Sequence, residues 1–148
     1  TLMLFLFLSS CGYEAIHSKK NIINYNFYIS ELSFEGDRDV NLKIKEKLNN
    51  YTLNKKNKIF TLKISSTTEK IILLKNLSGD ATSYKSMITV NIRVQMKNIT
   101  KSNLQIVESF NYNNNTNKFD LKRYEREIKN NLAETITDKL IFKLSSIQ

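Results

Sequence analysis

From residue 84 to residue 97 the odd and even positions of the chain separate. Tyr84, Ser86, Ile88, Val90, Ile92, Val94 and Met96 form one set, mostly apolar; Lys85, Met87, Thr89, Asn91, Arg93, Gln95 and Lys97 form the other, mostly polar. Alternation with a period of two over this length marks a strand buried on one face and wetted on the other. The β-branched residues suit such a pleated surface. Ser78-Gly79-Asp80 supplies a turn just before it, and residues 71–77 run into that turn as a second extended segment. The pair reads as a long hairpin with one greasy face and one basic, hydroxyl-rich face.

The remaining elements look built to cover the greasy face. Phe27 and Ile29, then Leu32 and Phe34, describe a strand with a phase shift. Asp37 and Asp39 are candidate N-caps, and Val40, Ile44 and Leu48 recur every four residues behind them, which predicts a helix of about three turns. Phe60, Leu62 and Ile64 alternate again. Strand, helix, strand in that order makes a crossover unit, with its two strands parallel if they are neighbours. Leu104, Ile106, Phe110 and Tyr112 predict a last strand in which Glu108 interrupts the apolar face, a candidate bulge. An Asn-rich loop follows. From Asp120, a candidate cap, Leu121, Tyr124, Ile128, Leu132, Ile136, Leu140 and Leu144 form one helical stripe over about seven turns, and Glu125 and Lys129 form an i,i+4 pair on it. The pattern is β-α-β-β-β-α. The fold class expected is α+β, two helices packed on one face of a four-stranded mixed sheet, with a fifth strand left open by residues 71–77.

Charge changes this picture. The chain of 148 residues carries a formal +9. Residues 40–104 hold 13 Lys and Arg against 3 acids, so the middle of the chain supplies the excess. A basic patch suits a nucleic acid, a membrane surface or another anionic partner, and a solvated strand face is the plain alternative.

The first eight residues, TLMLFLFL, are an apolar run too short to span a bilayer and of the length of a signal-peptide core. The run ends in Leu8-Ser9-Ser10-Cys11, which resembles the lipobox of bacterial lipoproteins. There a peptidase cuts before the cysteine, which is then acylated. Cys11 is the lone cysteine, so no internal disulfide can form. The expected organisation is a partial lipoprotein signal peptide over 1–10, a lipidated tether over 11–24 and one α/β domain over 25–148.

Enzyme chemistry finds no footing. One His (His17) and one Cys build neither a metal cluster nor a nucleophile–base pair, and three glycines leave no phosphate loop. No catalytic residue, metal or cofactor is expected beyond the acyl and diacylglycerol lipid on Cys11. Nucleic acid is not an expected partner either, because the basic stretch lacks interleaved exposed aromatics for stacking bases.

Together, Cys11-Gly12-Tyr13, the stretch LKN…ATSYKSMITVNIRV over 74–94, ESFNYNNN over 108–115 and DKLIFKL over 138–144 resemble the LPS-assembly lipoprotein family LptE. The resemblance implies a lipid-anchored protein on the periplasmic face of the outer membrane, which plugs and helps assemble the LptD β-barrel and binds lipopolysaccharide on its way to the cell surface. Gly12 is not the aspartate that, by the same analogy, retains lipoproteins at the inner membrane. The family's lipopolysaccharide-binding basic residues correspond to Lys75, before the central strand, and to Lys118 or Lys122 near the start of the last helix. The rival reading keeps the anchor without the lipopolysaccharide chemistry, as in a barrel-insertion subunit or a pilotin-like chaperone.

Overall fold

The computed structural model describes residues 25–148; the expected leader and tether, with Cys11 and His17, lie outside them. Four strands and two helices follow in the order expected: β1 (Phe27–Gly36), α1 (Arg38–Leu48), β2 (Lys58–Lys75), β3 (Ala81–Met96), β4 (Ile99–Asn113) and α2 (Lys118–Ser146), with a short 3-10 turn at Asn49–Tyr51. The sheet order is β1-β2-β3-β4. β1 and β2 are parallel, as a crossover through α1 requires, and the other pairs are antiparallel. The phase shift in β1 is a register break between Ile29 and Glu31, which returns Leu32 and Phe34 to the side of the core.

Both helices lie on the apolar face. Ile88, Val90, Ile92 and Val94 of β3 are buried, as are Phe60, Leu62 and Ile64 of β2. They meet Val40, Ile44 and Leu48 of α1 and Leu121, Ile128, Leu132, Ile136, Leu140 and Leu144 of α2 in a single cluster. Removing so many large side chains from water, at about 1.5–3 kcal/mol each, is the main stabilising contribution. Tyr124, counted on the apolar stripe, is instead half exposed and meets Tyr112 edge-on at 6.1 Å.

Four sequence expectations are corrected. Residues 71–75 are no fifth strand; they continue β2, bent by register shifts near Leu74. Glu108 causes no bulge. It stays in phase on the inner side of β4, where Lys139 of α2 donates to its carboxylate, and the irregularity in this pair lies between Val94 and Gln95. The cap of α2 is Asn117, whose side chain accepts from the amides of Phe119 and Asp120, so Asp120 falls in the first turn. For α1 the cap is Asp37, which accepts from Asp39 and Val40. Finally, Glu125 and Lys129 do not pair with each other; each ties α2 to a different element. No helix among the described residues is long and apolar enough to cross a membrane.

Candidate functional site

β1 ends at Gly36, opposite Ser66, where the chain turns off the sheet into α1. From Thr67 onward β2 therefore has no strand beside it on that side among the described residues. It continues with β3 and β4 past the end of β1 as a three-stranded arm that narrows to two strands at its tip, where Lys75 pairs with Ala81. Ile71, Ile72, Leu73 and Leu74 on this arm are exposed, and Leu77 at its tip is fully so. Four consecutive exposed apolar residues beside an unpaired strand edge are uncommon in a protein with no partner for them. Lys75 closes the arm as the last residue of β2, paired with Ala81. The tip is held by the Asn76 side chain, which accepts from the amide of Asp80 at 2.8 Å, and by Gly79 at φ +89°.

β4 brings the start of α2 to the same end. Asn113 pairs with Ser83, and the amide of Asn114 donates to the Thr82 carbonyl at 2.9 Å. The first turns of α2 thus stand beside the arm. Lys122, Glu125, Arg126 and Lys129 share one helical face and, with Phe119, line a groove of about 470 Å³.

Two polar ties fix this groove against the sheet. Lys70 of β2 donates to Glu125 at 2.6 Å, Tyr112 donates to the same carboxylate oxygen at 2.8 Å, and the Lys70 ammonium sits 4.0 Å from the centre of the Tyr84 ring. Lys129 donates to Asp37 at 3.1 Å, joining α2 to the start of α1. Burial pushes the Glu125 carboxyl up, but the bonds from Lys70 and Tyr112 outweigh it and hold the pKa below the ordinary value. Asp37 is likewise lowered: burial raises it, and the Val40 amide and Lys129 more than offset that. Tyr112 moves the other way, raised by burial and by its bond to Glu125.

The sign of the pH effect follows. A carboxyl with a folded pKa below its unfolded value contributes stability that is complete above about pH 4–5 and is lost as pH falls through the folded pKa. Urea denaturation of the parent and of Asp37→Asn/Glu125→Gln should show the double variant losing less stability between neutral pH and pH ~3. Equal losses would mean that these two carboxylates do not couple the helices to the sheet.

Of the residues singled out in the sequence, the structure brings Lys75, Lys118 and Lys122 to one end. Lys122 lines the groove; Lys118, the first residue of α2, is exposed and does not. Among the described residues' ion pairs, none engages Lys75, Lys118, Lys122 or Arg126. Sequence reasoning missed Phe119, Arg126 and the exposed run 71–74. The spacing Lys122-x₃-Arg126 was a usable signal, since i and i+4 share a helix face. Cys11 lies outside the described residues.

The expectation of a basic sheet face is also corrected. On the outer surface Lys63, Lys85 and Arg93 are offset by Glu31, Glu35 and Glu69, placed there by the register of β1, β2 and β3. A groove of about 400 Å³ on that surface is lined by both signs, with Lys63 and Arg93 beside Glu35. The excess positive charge lies at the two ends of the sheet rather than across it.

A mixed four-stranded sheet with two helices on one face, in the order β-α-β-β-β-α, is the fold of a group of small bacterial lipoproteins. Rare lipoprotein B from Shewanella oneidensis matches with a TM-score of 0.56 and 14% identity, over 76% of this chain and 95% of that one. A minor lipoprotein from Acinetobacter baumannii matches at 0.53 and 17% identity, over 80% and 92%. An uncharacterized lipoprotein B from Nitrosomonas europaea matches at 0.54 and 12% identity, over 80% and 87%. No protein-family model matches the sequence, and no curated protein does. At these identities the likeness is one of fold, over nearly the whole length of the neighbours.

Proposed function

We propose that this chain is a lipoprotein of the LptE type. It is anchored through acylated Cys11 at the periplasmic face of the outer membrane, plugs and helps assemble an LptD-type β-barrel, and binds lipopolysaccharide during transport to the cell surface. One observation carries the reading. The arm and the start of α2 set unpaired cations, Lys75, Lys122 and Arg126, beside exposed Ile72, Leu74 and Phe119. An amphiphilic anion such as lipid A asks for that combination, with phosphates for the ammonium and guanidinium groups and acyl chains for the apolar side chains. The structure neighbours add that a fold of this kind is used by bacterial lipoproteins.

The test is direct binding of purified lipopolysaccharide. Lys75→Asp and Lys122→Asp should each weaken binding several-fold, because an exposed ionic contact contributes about 1 kcal/mol or less, and affinity should fall as salt rises. Lys63→Asp, on the charge-balanced outer face, should bind like the parent. Loss on Lys63→Asp with no loss on Lys75→Asp or Lys122→Asp would move the site to the sheet surface and overturn the assignment. Purification from detergent-solubilised outer membranes should recover a complex with a very large barrel. Recovery without a barrel would favour the accessory-lipoprotein alternative.

A further inference from the structure

The end of the sheet opposite the arm has a different chemistry. The chain enters the domain there, since Phe27 pairs with Lys58 at the start of β2. The loop before β2 carries Lys55 and Lys56, and the tight turn between β3 and β4 carries Lys97, with Lys101 just after it. The pairing of Thr61 with Gln95 sets that turn level with the beginning of β2, so neighbouring strands about 4.8 Å apart gather the two loops side by side. Residues 49–64 and 92–104, which include the two loops, contain no Asp or Glu, and the acid that β1 places at this level is Glu31, opposite Thr61. None of the four lysines enters an ion pair among those of the described residues. Apolar side chains stand among them, with Leu53 75% exposed, Ile99 64% and Ile59 44%. Lys97 and Asn98 hold φ of 50° and 64°, the pair of left-handed residues of a two-residue hairpin turn, in which glycine would be less strained than lysine.

We propose that this end is a docking surface for an anionic lipid bilayer. Lys55, Lys56, Lys97 and Lys101 meet headgroup phosphates, and Leu53 and Ile99 enter the interface. The charge in the two loops has one sign, Leu53 and Ile99 sit at the loops rather than in a groove, and the 24 residues preceding the described domain join it at this end. A cluster of four or more basic residues near a surface is the usual electrostatic recipe for anionic lipid, and interfacial side chains add apolar burial. The inference goes beyond lipopolysaccharide binding and uses the opposite end of the molecule, so the two stand or fall separately. Docked this way, the domain holds the arm, with Lys75 and Lys122, pointing away from the bilayer surface it rests on.

The experiment uses residues 25–148, with folding checked first by circular dichroism, and sedimentation with lipid vesicles. The domain should bind vesicles of mixed phosphatidylglycerol and phosphatidylcholine, fail to bind pure phosphatidylcholine, and release in high salt. Each of Lys55→Gln, Lys56→Gln, Lys97→Gln and Lys101→Gln should weaken binding by about fivefold, with circular dichroism unchanged because Lys55, Lys97 and Lys101 are exposed, Lys56 is half-buried, and none of the four is in the core. Leu53→Ser/Ile99→Ser should weaken vesicle binding and leave binding of soluble polyphosphate as it was. Lys75→Asp/Lys122→Asp should bind vesicles like the parent even where lipopolysaccharide binding is lost. Full vesicle binding by the quadruple Gln variant, or by Leu53→Ser/Ile99→Ser, would overturn the proposal. So would loss of vesicle binding in Lys75→Asp/Lys122→Asp.

Discussion

Ile92→Asp should leave no stably folded domain at room temperature. Ile92 is 2% exposed in the middle of β3, between Ile64 of β2 and Leu104 of β4. A carboxylate placed there would lie inside the hydrophobic cluster. Its cost combines the lost apolar burial with the desolvation of a charge or the protonation that avoids it. About 4–5 kcal/mol or more is the expected scale, most of the stability of an ordinary domain. Asn91→Asp, one residue earlier, points to the opposite side. Asn91 is exposed, its side-chain oxygen accepts from Gln105 at 3.0 Å, and a carboxylate keeps that acceptor. It should cost less than about 1 kcal/mol. Urea midpoints for the two variants, followed by circular dichroism, decide the matter. Similar midpoints would mean that β3 does not turn its even-numbered residues to the core.

That facing was legible because a period of two survives in almost any context. The even-numbered residues of β3 and the stripe of α2 could be assigned to one core from spacing alone, and the parallel pairing of β1 and β2 followed from the helix between them. Other features needed three dimensions. Residues 71–74 are apolar at every position, so they carry no period, and only the early end of β1 explains why both their faces meet solvent. Glu108 looked like a break in a face because its partner, Lys139, lies 31 residues further on. The basic sheet face failed for a related reason. The count over 40–104 was right, but it left out β1, whose Glu31 and Glu35 lie beside Lys63 on the same surface. A charge excess along the chain becomes a charged surface only through the register of the strands. At the arm, Lys75 came from resemblance to a known family, whereas its apolar company and Arg126 emerged from the packing of α2 against the projecting hairpin.

The projection of that hairpin depends on one small residue, which gives the other large effect. Gly36→Ala should destabilise the domain by about 3–5 kcal/mol, although the change adds a single methyl group. Gly36 holds φ +93°, a conformation that costs an L-residue on the order of 1–2 kcal/mol. A Cβ built on it would also lie 1.9 Å from the Ser66 carbonyl oxygen and 3.0 Å from that carbonyl carbon. These are backbone atoms that cannot rotate away. The same carbonyl accepts from the amide of Asp37 at 3.1 Å, and Asp37 caps α1 and receives Lys129 of α2. Relieving the clash therefore means parting β1 from β2 just where the chain leaves the sheet for α1. Gly79→Ala is the matched control. It has a similar φ, +89°, but nothing within 4 Å of the added carbon, so it should cost only the conformational strain. Guanidinium denaturation of the two variants separates strain from collision. If Gly36→Ala proves no more destabilising than Gly79→Ala, β1 and β2 do not approach as closely as described, and the point at which β2 is left to project as the arm must lie elsewhere.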